Sequence, residues 1–146
     1  MIAFEGALYA VLMRFAGAYA VGSLRLSATE GPIGGTFAAI VMSLGAGFYE
    51  EIAFRAGLFG LGAMVVRRIS LPGPHRWSLI GIWALIAAAV FSAWHYVGPL
   101  GEPFDVGSFV FRAVCGLSLT AIYAFRGFAP AVWAHALYDV WAMVLH

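Results

Sequence analysis

The run Gly45-Ala46-Gly47-Phe48-Tyr49-Glu50-Glu51-Ile52-Ala53-Phe54-Arg55 decides how this chain is read. It sets three charges inside an apolar segment that covers residues 33–66 and stops at Arg67-Arg68. The chain has 146 residues, 63% of them hydrophobic and only 10% charged. Soluble globular domains run at about 45–50% apolar, so this composition is that of a membrane protein. A charge at bilayer depth costs about 2.5–3.5 kcal/mol on insertion scales. Glu50, Glu51 and Arg55 are therefore a candidate functional cluster rather than a stabilising one.

Outward from that run, polar and Gly/Pro punctuation marks four further apolar segments, at residues 2–26, 77–97, 106–125 and 128–145. A transmembrane helix needs about 20 mostly apolar residues. The expected fold is all-α: one integral membrane domain over residues 1–146, with about five transmembrane helices bundled around a polar cavity. Segment 33–66 is longer than a bilayer is thick, which predicts tilt, extension past the membrane, or a break near Gly45 or Gly47. Recurrent Gly and Ala let such helices approach closely. The first segment carries Glu5 and Arg14 and lacks a basic leader, so it reads as a retained helix rather than a cleaved signal.

Charge placement predicts orientation. The second and fourth loops hold Arg67, Arg68, Arg76 and Arg126, while the other side holds Arg25 with Glu30, Glu102 and Asp105. The positive-inside rule then puts the N-terminus in the cytoplasm. A formal net charge of +1 offers no basic patch for nucleic acid. Cys115 is the single cysteine and reads as a packing residue, with no intramolecular disulfide and no CxxC metal site.

Polar groups recur at membrane depth in four places. Glu51 and Arg55 are i,i+4 neighbours and can pair, whereas Glu50 points about 100° away and is left as an unpaired carboxylate. Phe91-Ser92-Ala93-Trp94-His95 puts Phe91 and His95 on one helix face, and His135-Ala136-Leu137-Tyr138-Asp139 does the same for His135 and Asp139. Arg112 follows the acidic loop by about one turn and is expected to snorkel to the interface without a catalytic role. Each pair alone is satisfied as local structure. Together, on three helices of a chain that avoids charge, they imply a shared cavity. A carboxylate base and two imidazoles around water suit hydrolysis. Glu50, His95 and His135 also have the residue types of a zinc site with an open position.

These three motifs, in this order and spacing, resemble the CPBP (CAAX protease and bacteriocin-processing) family of intramembrane endopeptidases, which includes the Ras-converting CAAX prenyl endopeptidase. That family carries Glu-Glu-x-x-x-Arg, Phe-x-x-x-His and His-x-x-x-Asn/Asp on successive membrane helices, and the resemblance covers roughly residues 45–144. It implies that Glu50 and His95 activate water and that His135 and Asp139 stabilise the oxyanion. Glu51, Arg55 and Phe91 would then brace the site or meet the substrate. Two positions depart from the common pattern. Ala56 stands where Gly is usual, and Asp139 replaces an Asn. A carboxylate donates to an oxyanion only when protonated, so Asp139 is a candidate to orient His135 instead. The short length and the run Ala134-His135-Ala136-Leu137-Tyr138-Asp139 are similar to the sortase-like glutamic members, including the myxosortases.

The resemblance implies a membrane-anchored, lipidated or C-terminal-helix protein as substrate, a bacterial inner membrane as location, and no cofactor, with zinc as the alternative. Two other classes fit the same residues: a non-catalytic bacteriocin-immunity or scaffold protein, and a small proton-coupled transporter that uses a carboxylate–histidine relay. Depth sets a condition on all of them. His95 lies ~24 Å along its helix from Leu79, but His135 only ~10 Å from Phe128. Convergence requires tilt, displaced helix starts or a broken helix.

Overall fold

The computed structural model describes residues 1–22, 35–69, 72–99 and 101–144. Arg25, Glu30 and the ends of the first and last expected segments lie outside them. The described residues form five helices: α1 (Ile2–Val21), α2 (Gly35–Ile69), α3 (Pro74–Trp94), α4 (Val106–Arg126) and α5 (Phe128–Val144). The chain is a polytopic helical bundle. Helices α2, α3 and α4 are each long and apolar enough to cross a membrane. Of the five crossings expected, α5 is short at 17 residues, and α1 carries Glu5 and Arg14 among its 20.

The helix ends follow local chemistry. Pro74 opens α3, where its missing N–H costs nothing. Asp105 caps α4, its Oδ1 accepting from the Ser108 N–H at 2.7 Å. A single residue, Gly127 at φ 90°, reverses the chain between α4 and α5. Only glycine adopts that angle without strain.

Helix α2 does not break at Gly45 or Gly47. It runs unbroken, but widens to a π-helix over Glu51–Leu61, starting at the second glutamate. Most π segments are single-turn bulges and they concentrate at functional sites. Gly47 has a different role from a break. A Cβ on it would lie 2.9 Å from the Ala136 Cα, so its bareness brings α2 against α5 one turn before the paired glutamates.

Helix α5 sits at the centre, packed on α1, α2 and α4, with α3 against α4 and the π segment. Met13, Cys115, Leu119 and Ala134 form one core where α1, α4 and α5 meet. Phe59, Ala63, Ile80 and Ala87 form a second between α2 and α3. Cys115 is buried, as a packing residue should be.

The depth condition is met by displaced helix starts. Phe91 lies 17 residues into α3 and His135 only seven into α5, yet their ring centroids are 5.8 Å apart. Along the helix axes, α3 therefore begins about 15 Å further out than α5. The last turns of α2 accompany it: Trp83 Nε1 donates to the Leu58 carbonyl oxygen at 3.1 Å, and Gly62 leaves room for the indole.

Candidate active site

Glu51 is fully enclosed, with 0% of its surface exposed, and Arg55 is nearly so at 1%. Their i,i+4 pair forms, with Arg55 Nη1 3.1 Å from Glu51 Oε1. The same Oε1 is also 2.8 Å from Nδ1 of His135 on α5. Sequence spacing suggested only the first of these contacts. A carboxylate oxygen accepts, so Nδ1 carries the hydrogen and Glu51 fixes the orientation of the ring. Arg55 has two further partners. Its Nη2 lies 3.5 Å from the Gly116 carbonyl oxygen on α4, and its guanidinium stacks 4.1 Å from the centroid of Phe91 on α3. One arginine thus ties the π segment to two other helices.

Fixing Nδ1 leaves Nε2 of His135 facing two other carboxylates. Glu50 Oε2 is 3.7 Å away and Asp139 Oδ2 is 3.6 Å away. These are approaches rather than hydrogen bonds. Glu50 is partly exposed at 23%, yet its Oε2 is buried and makes no hydrogen bond. Glu51 Oε2 and Arg55 Nε are buried and unbonded as well. Unsatisfied buried polar atoms are costly and rare in native proteins, and here they cluster in the Glu-Glu-x-x-x-Arg motif.

His95 stands at the C-terminal cap of α3 rather than inside a span that continues to residue 97. Its Nδ1 is 3.0 Å from the Phe91 carbonyl oxygen. A carbonyl only accepts, so Nδ1–H donates and Nε2 is the free nitrogen of the neutral ring. Phe91 stands between the two histidines, edge-to-face with His95 at 5.1 Å and with His135 at 5.8 Å. Glu50 and His135 are within electrostatic reach of His95. The structure thus gathers Glu50, Glu51, Arg55, Phe91, His135 and Asp139 into direct contact, with His95 beside them across the Phe91 ring.

Phe54 belongs to the same wall and was not singled out by the sequence. Its ring packs on Phe91 at 5.3 Å and on Trp94 at 6.3 Å. Its place within the Glu-Glu-x-x-x-Arg run was the available signal. Gly116 was missed too. A Cβ there would meet the Phe91 ring at 2.8 Å, so glycine is what admits Phe91 and offers its own carbonyl to Arg55. Arg112 does reach outward, but to a partner: Nη2 holds both carboxylate oxygens of Glu102 at 2.7 Å.

Glu50, His95 and His135 were the candidate zinc ligands. Among the described residues, no three His, Cys, Asp or Glu side chains are grouped to hold a metal ion.

The Rce1-like type II CAAX prenyl endopeptidase family matches the chain over residues 32–141, about three quarters of its length. No curated protein and no solved structure matches it. All three motifs fall within the matched stretch, on α2, α5 and the end of α3, and the helical membrane architecture is the one such a protein needs. The chain belongs to the Rce1-like family of type II CAAX prenyl endopeptidases.

Proposed function

We propose that this chain is an intramembrane endopeptidase that hydrolyses a peptide bond of a membrane-anchored or lipidated protein, near the substrate's C-terminus, with water activated by Glu50 and His95. The observation that carries the reading is the buried, unbonded Glu50 Oε2 beside His135 Nε2. A water held there gives a proton to Glu50, while its other O–H, which stays on the oxygen, donates a hydrogen bond to the free Nε2 of His95. The water oxygen attacks the scissile carbonyl carbon, and the C=O becomes an oxyanion. His135, doubly protonated, donates from Nδ1 to Glu51 and from Nε2 to that oxyanion. As the C–N bond breaks, the proton held by Glu50 passes to the leaving amine. Asp139 is a carboxylate 3.6 Å from Nε2, so it serves by orienting His135 rather than by donating. Glu51 and Arg55 are the buried frame that holds the ring.

The reaction in this reading needs no metal, because Glu50 takes the proton of the water and doubly protonated His135 donates to the oxyanion. The N-terminus faces the cytoplasm of a bacterial inner membrane, with the arginine-rich loops on that side.

The test is mass spectrometry of a farnesylated CAAX peptide incubated with vesicle-reconstituted protein. Wild type should release the C-terminal residues, and Glu50→Gln should lose about 10²–10⁴-fold in rate, the range of a general base. Identical product profiles for the two proteins would sink the assignment. Exhaustive chelation should leave the wild-type rate unchanged. A rate lost on chelation and restored by zinc would instead make Glu50, His95 and His135 ligands.

A further inference from the structure

His95 is given its task at a place where its own helix has ended. From His95 onward the backbone bonds are short-range turns, with His95, Tyr96 and Val97 N–H groups donating to Ser92, Ala93 and Trp94 carbonyls. A side chain past the end of its helix needs outside support to keep catalytic geometry. That support comes from the loop that follows and from α4. The Glu102 N–H donates to the His95 carbonyl oxygen at 3.0 Å, folding the loop back onto the cap. The Glu102 carboxylate is gripped at both oxygens by Arg112. Arg112 Nη1 also donates to the Tyr96 hydroxyl at 3.2 Å and to Ser108 Oγ at 2.8 Å, and its guanidinium lies 5.5 Å over the Tyr96 ring.

We propose that Arg112 is a positioning residue for His95, clamping the two ends of the 95–102 loop against α4 so that the imidazole keeps its place beside Phe91. The proposal rests on the assignment of His95 to water activation. An isolated exposed ion pair contributes little, but this arginine joins the residue after His95 to the residue bonded to the His95 backbone. The four terminal N–H groups of a planar guanidinium span those partners, and a single ammonium does not. The aromatic contacts of Phe104 with Tyr96 at 5.2 Å and with Phe109 at 5.9 Å close the loop from the other side. Ser92 Oγ, bonded to the Phe109 carbonyl oxygen at 2.7 Å, pins the same turn of α3 to α4.

The experiment compares Arg112→Lys, Glu102→Gln and the double variant with wild type, in detergent micelles and in vesicles. Ring ¹⁵N signals of His95 should move in both single variants while those of His75 stay in place. Turnover of the farnesylated CAAX peptide should fall about 10- to 100-fold in kcat, the scale of a sub-ångström to 1 Å misplacement. KM and melting temperature should hardly change. The double variant should be no worse than the worse single one, because both cut the same path. His95 signals identical to wild type in Arg112→Lys overturn the proposal whatever the activity does. A kcat loss that tracks a fall in melting temperature overturns it as well, by making the clamp a stability element. If His95→Ala leaves turnover intact, the assignment of His95 fails instead, and the ring signals still decide whether Arg112 holds it.

Discussion

Two of the protein's arginine–glutamate pairs are built on opposite terms. Arg55 and Glu51 are neighbours on one helix, almost wholly buried, and enmeshed with His135, Phe91 and the Gly116 carbonyl. Arg126 and Glu5 come from opposite ends of the chain and meet in a fork-like pair at the exposed foot of α4 and α1. By geometry alone the second pair is the better one, since both carboxylate oxygens are bonded. The buried pair leaves Glu51 Oε2 and Arg55 Nε without hydrogen bonds. What separates them is the alternative available to each partner if the other is removed. An exposed group turns to water or lipid headgroups, whereas a buried one is stranded. The imperfect pair is therefore the one on which the fold and site depend.

Removing Arg55 should have the largest effect on this contrast. Arg55→Ala strands Glu51 without its counter-charge and removes the stacking partner of Phe91. Breaking a buried pair by deleting one member costs about 3–5 kcal/mol, a large share of a marginal total. The expected result is a steep loss of folded protein in detergent, followed by circular dichroism melting or by recovery after size-exclusion chromatography. Normal yield and melting would show that the enclosure of Glu51 is not what makes Arg55 necessary.

A smaller effect is expected at Gly47, which contributes to the buried centre without any charge. Gly47→Val pushes new atoms into the Ala136 backbone, where even a Cβ has only 2.9 Å. Overpacking of this kind costs about 1–3 kcal/mol. Because the strain parts α2 from α5, turnover should fall further than melting temperature suggests, as Glu50 and Glu51 move away from His135. A variant that melts lower with unchanged turnover would mean that the site tolerates a wider crossing. Gly45, with open space where its Cβ would go, should accept alanine with no comparable cost from packing.

How much of this was legible in the sequence follows the range of each interaction. The pairs Glu51–Arg55, Phe91–His95 and His135–Asp139 were readable because a helix places i and i+4 on one face. The starts of α4 and α5 were readable because Asp105 and Gly127 act on their immediate neighbours, whereas α3 opens at Pro74, before the expected residue 77, and ends at Trp94, before the expected residue 97. Glu51 meeting His135 across 84 positions was not, because it depends on how α2 and α5 are rotated against each other. Gly45 and Gly47 look alike in the sequence, and only the partner helix distinguishes a packing contact from an open surface. The π-helical widening was invisible for a related reason. It begins where Glu51 and Arg55 turn inward together, and no local propensity marks that start. Arg112 was read as snorkelling because its distance from the loop was evident, while the bond from the Glu102 N–H to the His95 carbonyl oxygen, which sets Glu102 beside it, was not.

The exposed pair should give the smallest effect and the sharpest control. Glu5→Gln removes the charge that Arg126 grips, while its amide oxygen can still accept from the Tyr9 hydroxyl, bonded to Glu5 at 2.9 Å. Both partners lie at the rim, where each can be solvated, so turnover in vesicles should be the same as wild type. The variant is nevertheless informative, because the pair is a long-range link between α1 and α4, 121 positions apart. If helix α1 owes its place to that link, Glu5→Gln should loosen α1 and raise its hydrogen exchange. If α1 is held by its buried face, where Met13 packs with Cys115, Leu119 and Ala134, exchange should stay at the wild-type rate. The second outcome is the expected one, since a buried apolar face contributes more than a solvated ion pair. Faster exchange throughout α1, with turnover lost, would remove the distinction between the two pairs and make the rim as important as the centre.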